Sequence, residues 1–117
     1  GNAQTTTVTT PATGSYESTA QTANASTTVV SAVVTYTDAF GTTALDTDLI
    51  LEVSADNGAT WQNAALTAAG TFSTGVLQAV ANDVTVAAGT QIKYKISFAN
   101  QSASVKVTRV NGVSLIY

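Results

Sequence analysis

The fold this sequence predicts is all-β, an antiparallel, jelly-roll-like β-sandwich of about seven or eight strands. Three observations predict it. Short runs alternate apolar and polar residues, most cleanly at 91–98, where Ile92, Tyr94, Ile96 and Phe98 share one side and Gln91, Lys93, Lys95 and Ser97 the other. Turn-forming residues separate the runs, at Asp56-Asn57-Gly58, Asn82-Asp83, Gly89-Thr90, Asn100-Gln101-Ser102 and Asn111-Gly112. No window carries helical periodicity, and abundant Thr and Val favour extended backbone because branching at Cβ stiffens χ1.

The elements follow in order. Residues 1–25 are expected to be an extended Thr/Ala-rich arm, punctuated by Pro11 and Gly14, with Tyr16 as its anchor. Such an arm buries almost nothing alone, so a sheet edge or a neighbouring subunit is expected to hold it. The sandwich domain is expected over 26–117. Its first strand, 26–36, places Val30, Ala32, Val34 and Tyr36 on one face and Val29, Ser31, Val33 and Thr35 on the other. Apolar residues on both faces imply cover on both sides, by the core and by another chain or the arm. Residues 37–43 read as a loop, with Phe40 exposed or plugging an end of the core. In 48–54, Leu49, Leu51 and Val53 point inward, and 61–66 pairs back across a hairpin tip. Residues 67–74 read as a loop pinned by Phe72, followed by short strands at 75–80 and around Val84 and Val86. After 91–98 and a turn, strands 105–110 and 113–117 are joined by Asn111-Gly112, a type I′ hairpin signal.

Composition narrows the function. The 117 residues make one domain, 44% hydrophobic but only 9% charged, against roughly 25% charged in ordinary domains. Polar character comes from hydroxyl and amide side chains, a composition common in secreted adhesins, pilins and virion proteins. A net charge of −3 with four basic residues argues against a nucleic-acid partner, because few phosphates could be neutralised. No apolar run approaches the ~18 residues that cross a bilayer, and the polar N-terminus does not read as a leader. The first residue is Gly1 rather than Met, so the chain is expected to be processed, a fragment, or numbered from a later start. Cysteine and histidine are absent, which removes a disulfide framework, the commonest general base and the commonest transition-metal ligand.

An enzyme needs an activated nucleophile, a metal or paired carboxylates. Asp46, Asp48 and Asp56 could form a carboxylate pair or a Ca²⁺ site, but strand solvation and turn capping account for them. No catalytic, cofactor-binding or metal residue is therefore expected. Lys93, Lys95, Lys106 and Arg109 are expected to gather on one solvated side of the last sheet. Sugar binding would use exposed aromatics beside amides. Trp61, Tyr36, Phe40 and Tyr117 are the aromatic candidates, and Trp61, Asn57, Gln62 and Asn63 are the candidate glycan contacts.

Ser54-Ala55-Asp56-Asn57-Gly58-Ala59-Thr60-Trp61 matches the Asp-box pattern S-x-D-x-G-x-T-W at every specified position. That resemblance implies a folding device at Ser54, Asp56, Gly58, Thr60 and Trp61, in which the Asp caps backbone N–H groups and the Trp packs beneath. More widely, 45–117 resembles a C-terminal domain of tailed-phage structural proteins. The likeness lies in 49–61, in 89–96 and in the ending from Asn100-Gln101-Ser102 through Thr108-Arg109-Val110 to Gly112-Val113-Ser114-Leu115, although that family often closes on Trp and this chain on Tyr117. It implies a non-enzymatic component of a phage particle, a capsid decoration or tail/head fibre domain at the virion surface. Its partners would be other virion proteins and copies of itself, with a trimer expected. The alternative is a carbohydrate- or receptor-binding module that recognises host surface glycans.

Overall fold

The computed structural model describes residues 3–8, as strand backbone, and 13–117. Eight strands make up the fold: β1 (Ala3–Val8), β2 (Gly14–Glu17), β3 (Gln21–Phe40), β4 (Leu49–Ser54), β5 (Gln62–Ala64), β6 (Thr67–Ser73), β7 (Val76–Phe98) and β8 (Val107–Ile116). Every pairing between named strands is antiparallel. The expected all-β sandwich is what the chain forms.

The 23-residue β7 is its spine. Its first part pairs with β3 on one side and β6 on the other, and its last part pairs with β2 and β4. One layer therefore reads β1-β8-β3-β7-β6 and the other β2-β7-β4-β5. Bulges along the β3–β7 pairing help β7 bend from one layer to the other, because an extra residue on one strand sharpens its local twist. Between the layers, the inward residues close one core. Val30 and Val34 of β3 join Leu49, Leu51 and Val53 of β4, Ile92, Tyr94, Ile96 and Phe98 of β7 and Val110, Val113 and Leu115 of β8 in one cluster. The alternation read at 91–98 and 48–54 is the alternation observed: Ile92, Tyr94, Ile96, Phe98, Leu49, Leu51 and Val53 are all buried.

Several expected turns are bulges instead. Asn82-Asp83 sits inside β7, where two residues oppose Ser31; Asp83 takes φ 53° and its N–H donates to Ser31 Oγ at 2.9 Å. Asn111-Gly112 sits inside β8, and neither residue has the positive φ that a type I′ turn requires. There the Asn111 amide donates to Thr37 Oγ1 at 2.9 Å, across a register shift. Gly89-Thr90 likewise interrupts nothing. Two expected loops are largely strand: β3 runs on to an exposed Phe40, and 67–73 is the edge strand β6, with Phe72 outward. Of the expected arm 1–25, residues 14–17 are β2 and 21–25 the start of β3, joined at 18–20 by a link in which Ser18 is buried and reciprocally bonded to Tyr94, while Pro11 lies outside the described residues. Lys93 and Lys95 line the outer face of the β2-β7-β4-β5 layer, whereas Arg109 pairs across from Thr37 in the other layer and Lys106 lies in the turn before β8. The four basic residues are therefore not gathered on one sheet side, because the turn before β8 and the change of layer separate them.

Candidate functional site

The hairpin tip after β4 is built by its own residues. Asn57 and Gly58 take φ 61° and 83°, which Asn tolerates and Gly adopts without steric strain. The two acceptors that hold this tip are Ser54 Oγ and the Asp56 carboxylate. Ser54 Oγ receives the Gly58 N–H at 2.9 Å and donates to Asp56 Oδ1 at 2.7 Å. Asp56 Oδ1 also accepts the Thr60 N–H at 2.9 Å, while its Oδ2 accepts the Thr60 hydroxyl at 2.6 Å. Ser54, Asp56, Gly58 and Thr60 thus act as one cap.

The Thr60 hydroxyl and N–H and the Ser54 hydroxyl hold the Asp56 carboxyl down to about 2, from an ordinary 3.8. A depressed carboxyl contributes stability that is fully present above its unfolded value and lost as pH falls through the folded one. Melting temperature should therefore fall between pH 3.8 and about 2, and Asp56→Asn should flatten that part of the profile. Thermal melts across acid pH check this. An unchanged acid slope in Asp56→Asn would remove the cap from the account.

The tip is fastened to β7. Gln91 N–H donates to Ala55 O at 3.0 Å, and Asn57 N–H donates to Gln91 O at 3.0 Å. This approach needs Gly89: a Cβ there would lie 1.9 Å from Ala55 O. Trp61 is half-buried. Its ring lies alongside Gly58 and under two ammonium groups, Lys95 Nζ at 4.7 Å and Lys93 Nζ at 6.0 Å from its centroid. The same lysines face Glu52 at 3.7 Å and Glu17 at 2.5 Å. Trp61 thus joins the hairpin to a charged outer face.

The structure brings Trp61, Asn57, Gln62 and Asn63 onto this one hairpin, with the three amides exposed. It does not bring the other aromatics there. Tyr36 is in the core, Tyr117 packs against the core, and Phe40 lies opposite Val107 in the other layer.

The carboxylates do not converge. Asp46, in a positive-φ turn, accepts the Leu66 N–H at 3.0 Å. Asp48 is 1% exposed and is engaged by Lys106 Nζ at 2.7 Å, the Ala44 N–H at 2.8 Å and the Asn100 amide at 2.9 Å. Burial pushes the Asp48 carboxyl up, but hydrogen bonds from Lys106, Ala44 and Asn100, with the Lys106 charge, outweigh it and hold the group below its ordinary value. Among the described residues, no three acidic side chains come close enough to hold a metal ion. Sequence reasoning missed a second buried polar group, in which Thr43 Oγ1 bonds Asp38 and Thr108 Oγ1, and Gln101 Oε1 accepts the Thr108 N–H at 2.8 Å. Its members are distant along the chain, so no local motif announces them.

Set beside protein-family models, curated proteins and solved structures, the chain matches none of them.

Proposed function

We propose that this chain is a non-enzymatic structural component of a phage particle, a capsid decoration or a tail/head fibre domain at the virion surface. In this reading it assembles with copies of itself and with other virion proteins. The observation that carries the reading is β1. This strand adds to the edge of β8 in the register Ala3↔Ile116 to Thr6↔Val113, and among the described residues it pairs with no other strand. Within the chain β1 covers its own β8 edge, and the same pairing offered to a neighbour's β8 would join copies, since main-chain hydrogen bonds supply affinity at a sheet edge. The likeness of 45–117 to phage structural domains supports the same reading.

Deleting residues 1–12 should weaken oligomerisation, read by sizing with light scattering, and leave the core melt in place, because β2 onward is retained. Unchanged assembly of the shortened chain would count against the proposal.

Trp61 favours a second reading, recognition of host surface glycans. It is the one large aromatic of the hairpin, half-exposed beside Asn57, Gln62 and Asn63. On a glycan array this reading expects specific binding that Trp61→Ala removes from a chain that still folds. No signal above background from the wild-type chain would leave the structural role alone.

A further inference from the structure

The two outer faces of the sandwich differ in charge. On the β2-β7-β4-β5 layer, Glu17, Glu52, Lys93 and Lys95 form two ion pairs around Trp61. The other layer is unlike it. Val30, Ala32 and Val34 point into the core, so Val29, Ser31, Val33 and Thr35 point outward. Val33 pairs with Ser114 and Val80, and Thr35 with Gly112 and Gln78, which places those residues on the same face. Val33, Thr35, Phe72, Gln78, Gly112 and Ser114 line a groove at its middle. Phe72 is 64% exposed, Ile116 50% and Val29 40%. Among the described residues, charge on this face lies at its two ends: Asp83 beside Ser31, and Arg109 opposite Thr37. Among the described residues neither makes an ion pair within the chain.

We infer that this uncharged face is a contact between two copies of the chain, related by a two-fold axis that lies in the face and crosses the strands at Val33 and Thr35. The inference rests on the assembly reading above and names its surface. A hydroxyl-rich, half-apolar face can meet itself because no like charges are brought together at its centre, and its Val and Phe side chains leave water. A strongly charged partner would find nothing to pair with at the centre of this face. The ends select the orientation. Ser31 and Thr37 are six residues apart on β3, roughly 20 Å. An axis along the strands would set Asp83 against Asp83 and Arg109 against Arg109. An axis across them brings each Asp83, on β7, to the same end as the other copy's Arg109, on β8. The two lie two strand spacings or about 10 Å apart across the sheet, within the span of a long Arg side chain, and the two sheets pack with their strands aligned.

Sedimentation velocity on the full chain over a range of concentrations tests this, with circular dichroism melts to check folding. Wild type should dimerise. Val33→Glu, which places two like charges near the axis, should weaken the dimer by roughly a hundredfold or more. Asp83→Arg and Arg109→Asp should each weaken it by roughly tenfold, and the double variant carrying both reversals should restore it. If Val33→Glu does not fold, the two end reversals and their combination decide alone. A dimer or trimer indifferent to Val33→Glu, or single reversals that the double variant does not rescue, would overturn this inference and leave the assembly reading standing. A wild-type chain that stays monomeric at every concentration would overturn both.

Discussion

Gly89→Val should destabilise the sandwich by about 3 kcal/mol or more, the largest effect expected of a single substitution where β7 meets the 54–61 hairpin. The reason is contact rather than conformational freedom: Gly89 has no positive φ. A Cβ at this position would lie 1.9 Å from Ala55 O and 2.6 Å from Ala55 C, both main-chain atoms of the hairpin base. Neither can swing aside as a side chain could. Relief requires the hairpin to lift off β7, which breaks the Gln91 N–H to Ala55 O and Asn57 N–H to Gln91 O bonds together. Ala55 is buried, so lifting also opens the core. Urea titration of Gly89→Val and of the smaller Gly89→Ala measures the effect. The alanine variant should already be clearly weaker, because its single methyl meets the same atoms. A Gly89→Ala chain as stable as wild type would show that the hairpin does not approach β7 this closely.

Lys106→Met should destabilise the fold by about 3 kcal/mol at neutral pH, because it leaves a buried carboxylate without its counter-ion. Asp48 is 1% exposed, whereas the Lys106 side chain keeps 30% of its surface, so the loss falls at the lower end for buried pairs. The site holds more than the ion pair. Asp48 O accepts the Ala99 N–H at 2.9 Å and its carboxylate accepts the Asn100 amide, so the same residue anchors the turn that leads from β7 to β8. The sign with pH is definite. In the wild-type chain the Asp48 carboxyl is held below its ordinary value, so its stabilisation is present above 3.8 and lost as pH falls through the folded value. Without Lys106, burial pushes that carboxyl up, so the deficit of Lys106→Met should be greatest at neutral pH and shrink in mild acid. Urea titrations at both pH values check this; a deficit independent of pH would assign the loss to packing alone.

What was legible in the sequence was what is local. Alternation at period two placed Ile92, Tyr94, Ile96 and Phe98 in the core, because a strand residue's facing depends only on its neighbours' parity. The Asp56 cap was legible for the same reason: all its hydrogen-bond partners lie between Ser54 and Thr60. Strand ends were not. Asn82-Asp83 and Asn111-Gly112 look like turns because the residues that tolerate unusual backbone serve turns and bulges alike. Only the long-range partners, Ser31 Oγ for the Asp83 N–H and Thr37 Oγ1 for Asn111, decide between them. β6 was hidden because TAAGTFS has two register shifts and a positive-φ Gly70, so no clean alternation survives. The Asp48–Lys106 pair was hidden by its separation of 58 residues.

In the reading proposed above, the chain acts through contact with other chains. Sedimentation equilibrium of the intact chain, at moderate salt and with no added ligand, measures that directly. A defined multiple of the single-chain mass, dissociating on dilution, is the predicted result. The mass of one chain at the highest concentration reached would contradict it.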